Sequence, residues 1–159
     1  MKKRIPLILA IYVAFVFLQS LFFKFAGLFG QPADITVYIF NTIGDWMASI
    51  GLGAISGLFA SYGELVIGGA ELVASILILM TATRWIGAGI GLVIMTGAIF
   101  FHVFTPLGLF PYTDLECLQE GCPQEYALFF MAIGVWLSCA FLLWKERCKI
   151  CKTFCPKKA

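Results

Sequence analysis

Residues 65–104 read LVIGGAELVASILILMTATRWIGAGIGLVIMTGAIFFHVF, forty residues with two formal charges, Glu71 and Arg84. A bilayer's hydrocarbon core is about 30 Å thick, which a helix crosses in roughly 20 apolar residues. The stretch therefore predicts two spans, residues 65–83 and 85–104, turning at Arg84. Pro106 and Gly108 follow the second and mark its end.

Two more stretches reach that length, residues 5–25 and 126–144. Of the 159 residues, 61% are hydrophobic and 13% charged, and mean hydropathy is +0.95. Soluble domains average about 45–50% apolar and about 25% charged. The apolar excess cannot be hidden in a soluble core of this size, so lipid is the expected solvent. The expected fold is an all-α membrane protein, a four-helix bundle covering residues 1–144, with a basic, Cys-rich tail at residues 145–159. The first span follows Lys2, Lys3 and Arg4. It exceeds a signal peptide's apolar region, and no small-x-small site follows it, so it is read as uncleaved.

Residues 31–62 tempt a fifth span but contain Asn41, Thr42, Asp45 and several Gly. Asp34, after Pro32, can cap a helix. Ile35, Tyr38, Ile39, Thr42, Ile43, Trp46, Met47 and Ile50 then form a mostly apolar stripe at helical spacing. An interfacial or re-entrant helix between spans one and two fits this pattern. Charge bias agrees, because cytoplasmic loops are enriched in Lys and Arg. With four spans and the N-terminus inside, ten of the eleven basic residues are cytoplasmic, Lys24 being the exception. The loop after span three has no Lys or Arg but carries Asp114, Glu116, Glu120 and Glu125, so it faces outward. A fifth span would expel the basic tail. Both termini are expected in the cytoplasm and the chain in a bacterial inner membrane.

Ionisable groups at membrane depth are costly and mark candidate sites. Lys24, Glu64, Glu71 and His102 are four such groups, and this topology draws all of them towards the outer half of the bundle. Each has a plainer reading. Lys24 can snorkel to the interface, Glu64 can favour a helix start at the water boundary, and His102 can be a satisfied interfacial polar residue. Glu71 is flanked by apolar turns and needs a partner, Lys24 or His102, or water. Gly87 and Gly91 form a GxxxG pair, with Gly68 and Gly69 in the preceding span; close helix packing accounts for such residues.

At these positions the sequence resembles the DoxX family of four-helix bacterial and archaeal membrane proteins. The similar segments are FFKFAG at 22–27, GGAELV at 68–73, MTGAIFFH at 95–102 and TPLG at 105–108. The resemblance covers roughly residues 5–144 and implies a four-helix membrane domain. It also implies a link to thiol or sulfur redox chemistry and the quinone pool, with a quinone as the cofactor to consider and a redox protein as the partner. A second copy of the chain is a further partner left open. Lys24, Glu71 and His102 would then contact a small apolar ligand or relay protons. A non-enzymatic scaffold or partner-binding subunit, with a structural polar cluster, is the alternative from another class. A small-solute carrier is a third; the absence of an internal repeat weighs against it.

Topology sorts the six cysteines. Cys117 and Cys122, spaced C-x4-C in the outward loop, favour a disulfide in an oxidising compartment; an exchanging redox pair or free thiols are the other readings. Cys148, Cys151 and Cys155 lie among basic residues in the tail. They read as reduced thiols, or as three ligands of a metal site that lacks its fourth. Cys139 reads as a small apolar packer. No P-loop is present, and nothing supports nucleic-acid binding. Topology and attraction to anionic lipid explain the basic tail.

Overall fold

A computed structural model describes residues 4–113 and 124–154, with side chains through residue 147. Six helices account for most of it: α1 (Ile5–Lys24), α2 (Ala26–Phe29), α3 (Asp34–Ser49), α4 (Gly53–Leu79), α5 (Arg84–Phe104) and α6 (Ala127–Phe154). Four of them, α1, α4, α5 and the Ala127–Arg147 part of α6, are long and apolar enough to cross a membrane. The protein is an all-α, four-helix membrane bundle. Among the described residues β structure is confined to one bridge, Tyr112 with Gln124, which brings the ends of the loop between α5 and α6 together. Glu125 N–H donating to Pro111 O reinforces it at 2.9 Å.

Burial is distributed as lipid demands. Large apolar side chains point outward along every span, among them Ile8, Phe15, Phe22, Val66, Ile76, Val93, Phe130 and Leu137. The interior instead holds Glu71, Ser75, Arg84, His102 and Ser138 beside small residues such as Ala10, Ala14, Ala74, Ala88 and Ala132. Without a hydrophobic drive between helices in lipid, small residues and polar contacts hold the bundle. Ser75 and Ser138 satisfy their hydroxyls on the carbonyls of Glu71 and Gly134, one turn back.

Helices α4 and α5 form a hairpin in which backbone nearly meets backbone. A Cβ on Gly87 would lie 2.5 Å from Ile78 N and 2.7 Å from Ala74 O, so only glycine fits. Helices α5 and α6 run antiparallel. Arg84 faces Glu146, Gly91 faces Cys139, Trp136 Nε1 donates to Thr96 Oγ1 at 2.9 Å, and His102 stacks edge-on against Phe129. Helix α1 closes the bundle: Phe17 packs on Gly91, Phe25 on Gly68 and the Tyr12 hydroxyl on Gly134.

The helix expected between spans one and two is α3. Its 16 residues extend about 24 Å at 1.5 Å per residue, short of a full crossing. Asp34 does not cap it. The cap position is Ala33, with no side-chain cap bond, and Asp34 lies in the first turn, where an acid favours the helix dipole. Span two differs more. It begins at Gly53, twelve residues earlier than expected, and ends at Leu79 rather than residue 83. The early start follows from packing. The Ile50–Leu52 turn, with Gly51 at φ +89°, folds α3 back on α4. Gly44 then meets Ala60 and Ser56, and Phe40 meets Gly63. Phe59, Trp46 and Phe101 seal this end around Ile43, Met47 and Leu107. The early stop follows from capping: Thr83 Oγ1 donates to Leu77 O at 3.0 Å and Arg84 Nε to Ile78 O at 3.1 Å. These side chains take carbonyls that a continuing helix would have used.

Candidate functional site

The last turn of α1 and the middle of α4 meet at Glu71, which is 2% exposed. Ser20 and Lys24 stand one turn apart on α1 and so share a face. Lys24 Nζ lies 3.0 Å from Glu71 Oε2 and 3.2 Å from Oε1. It also donates to Ser20 Oγ at 3.1 Å. Ser20 Oγ reaches Glu71 Oε2 at 2.6 Å and Phe17 O at 2.8 Å. Its single proton goes to the carboxylate, the stronger acceptor. Lysine, serine and glutamate thus close a ring of hydrogen bonds in which each partner satisfies the next. Lys24 also complements the C-terminal end of its own helix. Its side chain keeps 17% exposure against 3% for Glu71, so the pair is open on the lysine side only.

The four ionisable residues expected to converge do so only in part. Glu71 and Lys24 pair. Glu64 lies beside Gly27 and has no hydrogen bond or ion pair among the described residues. His102 is buried, but it turns to the chain after α5. Its Nδ1 is 2.7 Å from Gly108 O. A carbonyl can only accept, so Nδ1 carries the proton in this bond. Gly108 presents that carbonyl from φ +70°, a conformation that suits glycine. Thr105 Oγ1 steadies the turn by accepting Leu107 N–H at 3.3 Å. His102 makes no hydrogen bond to Lys24 or Glu71.

A second polar constellation lies where α4 ends, α5 begins and α6 leaves the bundle. Arg84 is 6% exposed, although a charge at a turn reads in sequence as solvated. Its Nε caps α4 at Ile78, its Nη1 faces Glu146 Oε1 at 3.9 Å, and its Nη2 is buried with no hydrogen-bond partner among the described residues. Next to it on α6, the Lys145 ammonium lies 4.9 Å from the Trp144 ring centroid and the Arg147 guanidinium 5.7 Å. Ser20 and Glu146 escaped sequence reasoning. The i, i+4 relation of Ser20 to Lys24 was the available signal for the first; a lone acid in a basic tail was the signal for the second.

Cys139 is fully buried, with Sγ against Gly91. The expected Cys117–Cys122 disulfide and Cys155 lie outside the described residues. Cys148 and Cys151 fall in the last turns of α6, beyond the described side chains. No family model, no curated protein and no solved structure matches this chain.

Proposed function

We propose that this chain is a DoxX-like, non-catalytic membrane subunit that binds a partner protein, with the Lys24–Ser20–Glu71 ring as a structural clamp between α1 and α4. The observation that carries the reading is that the ring closes on itself. Both carboxylate oxygens of Glu71 are taken by side chains of α1, which leaves the acid no free edge for a substrate. The order of Lys24, Glu71 and His102 along the chain supports the DoxX-like assignment. The basic ends support an orientation with both termini in the cytoplasm of a bacterium. The partner class that this assignment implies is a thiol- or quinone-linked redox protein.

One observation favours a second reading, a redox accessory that binds a quinone or similar apolar ligand. Lys24 keeps its open edge, and Phe25, beside it in sequence, borders an apolar groove of about 340 Å³ with Leu18, Leu21, Phe22 and Phe29. A quinone ring could then accept from the lysine while its tail lay in the groove. Purification of the native complex in mild detergent, with mass spectrometry of its proteins and small molecules, separates the two. The clamp reading expects a stoichiometric partner retained by wild type and by a folded Glu71→Gln variant. Retention of a quinone by wild type and its loss from that folded variant would replace the clamp with the ligand site. Monomeric protein carrying neither partner nor ligand would defeat both.

A further inference from the structure

Helix α6 carries two seams. Ala132, Val135, Cys139 and Leu142 are buried in the bundle core, and Glu146 continues that side towards Arg84. Phe130, Leu137 and Trp144 each stand two residues from one of these, about 200° around the helix at 100° per residue. They are 62%, 58% and 54% exposed. Seven residues separate each from the next, and Cys151 falls seven beyond Trp144. Phe141 and Cys148 complete the stripe. From Leu137 through Phe141, Trp144 and Cys148 to Cys151 the steps are four, three, four and three residues, the seam of a two-stranded parallel coiled coil.

Lipid accounts for the apolar part of this stripe but not for its last two positions. Helix α6 runs on to Phe154, about 12 Å past Glu146. In this stretch Arg147, Lys149 and Lys152 are charged, while the stripe positions 148 and 151 are cysteines, one helical turn apart. A closed tetrahedral zinc site takes four ligands. The tail of one chain has three cysteines and no His. A second copy, related by a two-fold axis along the membrane normal, brings each stripe position to its own counterpart and supplies the missing ligands. Charge on the stripe suits thiolates. The Lys145 ammonium lies 5.6 Å from the Phe141 ring centroid and 4.9 Å from that of Trp144, and the Arg147 guanidinium lies 5.7 Å from the latter. Both cations thus gather on the stripe one turn before Cys148. Positive charge there lowers a thiol's pKa and offsets the excess negative charge of four thiolates around one divalent ion.

We infer that two copies of the chain pack α6 against α6 along this stripe and hold one zinc ion between them, with Cys148 and Cys151 of each copy as its four ligands. The apolar stripe sets the register within the membrane, and the metal closes the pair beyond it. The site does not depend on how the Lys24–Glu71 pair functions. Under the proposed orientation it lies in the reducing cytoplasm, where thiols are not locked in disulfides.

The test is metal analysis and light scattering of the full chain, purified in mild detergent with a reductant, given Zn²⁺ alone and then freed of excess metal. Wild type should be a dimer that keeps one zinc per two chains. Cys148→Ser and Cys151→Ser should each lose the zinc, and Cys155→Ser should keep it. The stripe is tested separately by oxidative cross-linking in membranes, in zinc-loaded protein whose other native cysteines, 148 and 151 excepted, are replaced. Leu137→Cys should link two chains. Val93→Cys, at a lipid-facing position of α5, should not. Zinc-free wild type, one zinc per chain, zinc kept by Cys151→Ser, zinc lost from Cys155→Ser, or equal cross-linking at positions 137 and 93 would each overturn the inference.

Discussion

Replacing Glu71 by glutamine removes one charge from the ring and leaves an amide oxygen for Ser20. The Lys24–Glu71 contact at 3.0 Å corresponds to a gross attraction of about 5 kcal/mol at an effective dielectric of about 20. Desolvation of both groups offsets much of it. Breaking a buried pair by removing one partner costs about 3–5 kcal/mol, because the other charge is stranded. Here the stranded group is Lys24, which is partly exposed and can extend to the interface. Glu71→Gln should therefore cost about 2–3 kcal/mol, at or just below the lower end of that range. For a chain of this size that is a fall in Tm of about 4–12 °C. Lys24→Met with Glu71→Leu replaces the pair as a unit, removes both desolvation costs and should recover at least part of the loss. The assay is thermal unfolding in one detergent, followed by intrinsic Trp fluorescence, across Glu71→Gln, Lys24→Met, Glu71→Leu and the Lys24→Met, Glu71→Leu double variant. If Glu71→Gln melts with wild type and the double variant shows no coupling, the ring is not a clamp.

Gly87→Ala should destabilise the bundle by about 1–3 kcal/mol, since its methyl group would press on the backbone of α4. Gly69→Ala, where the space is open, should melt like wild type; equal melting of the two variants would refute the close approach of α4 and α5. Cys117 and Cys122 should be bonded in oxidised protein, so alkylation without reduction should leave both unmodified; intact mass showing two added groups on these residues refutes it. A disulfide closing so short a loop adds about 2–3 kcal/mol on the chain-entropy model, so reduction should lower the Tm.

The spans were legible because lipid imposes a length and a polarity that few other environments do. Residues 5–25 and 85–104 coincide with α1 and α5 to within a residue. The first twelve residues of α4 were not legible. Ser56, Gly57, Ser61 and Gly63 interrupt the hydropathy, yet Gly63 is where Phe40 of α3 packs and Ser56 and Ala60 are where Gly44 of α3 packs. Helix propensity is overridden there by tertiary packing. Glu71 stood out because a carboxylate inside an apolar helix needs a partner, and Lys24 was the nearest basic candidate. His102 stood out for the same reason, but its partner depends on a positive-φ glycine six residues on, which no periodicity announces. Arg84 was legible as a charge between spans. Its burial was not, because that depends on α4 ending four residues early and on Glu146 arriving from α6.

The central claim is that four helices cross the membrane and that α3 does not. Accessibility of single cysteines, introduced one at a time into a background with the native cysteines removed, tests it most directly. Positions Lys3, Arg84 and Lys152 should react with a membrane-impermeant thiol reagent only after the cytoplasmic face is opened. Positions Asp45 and Glu116 should react in intact cells. The four-span account requires positions 3 and 152 to share one side. Labelling of position 152 from the side opposite to position 3 would make α3 a fifth span and contradict it.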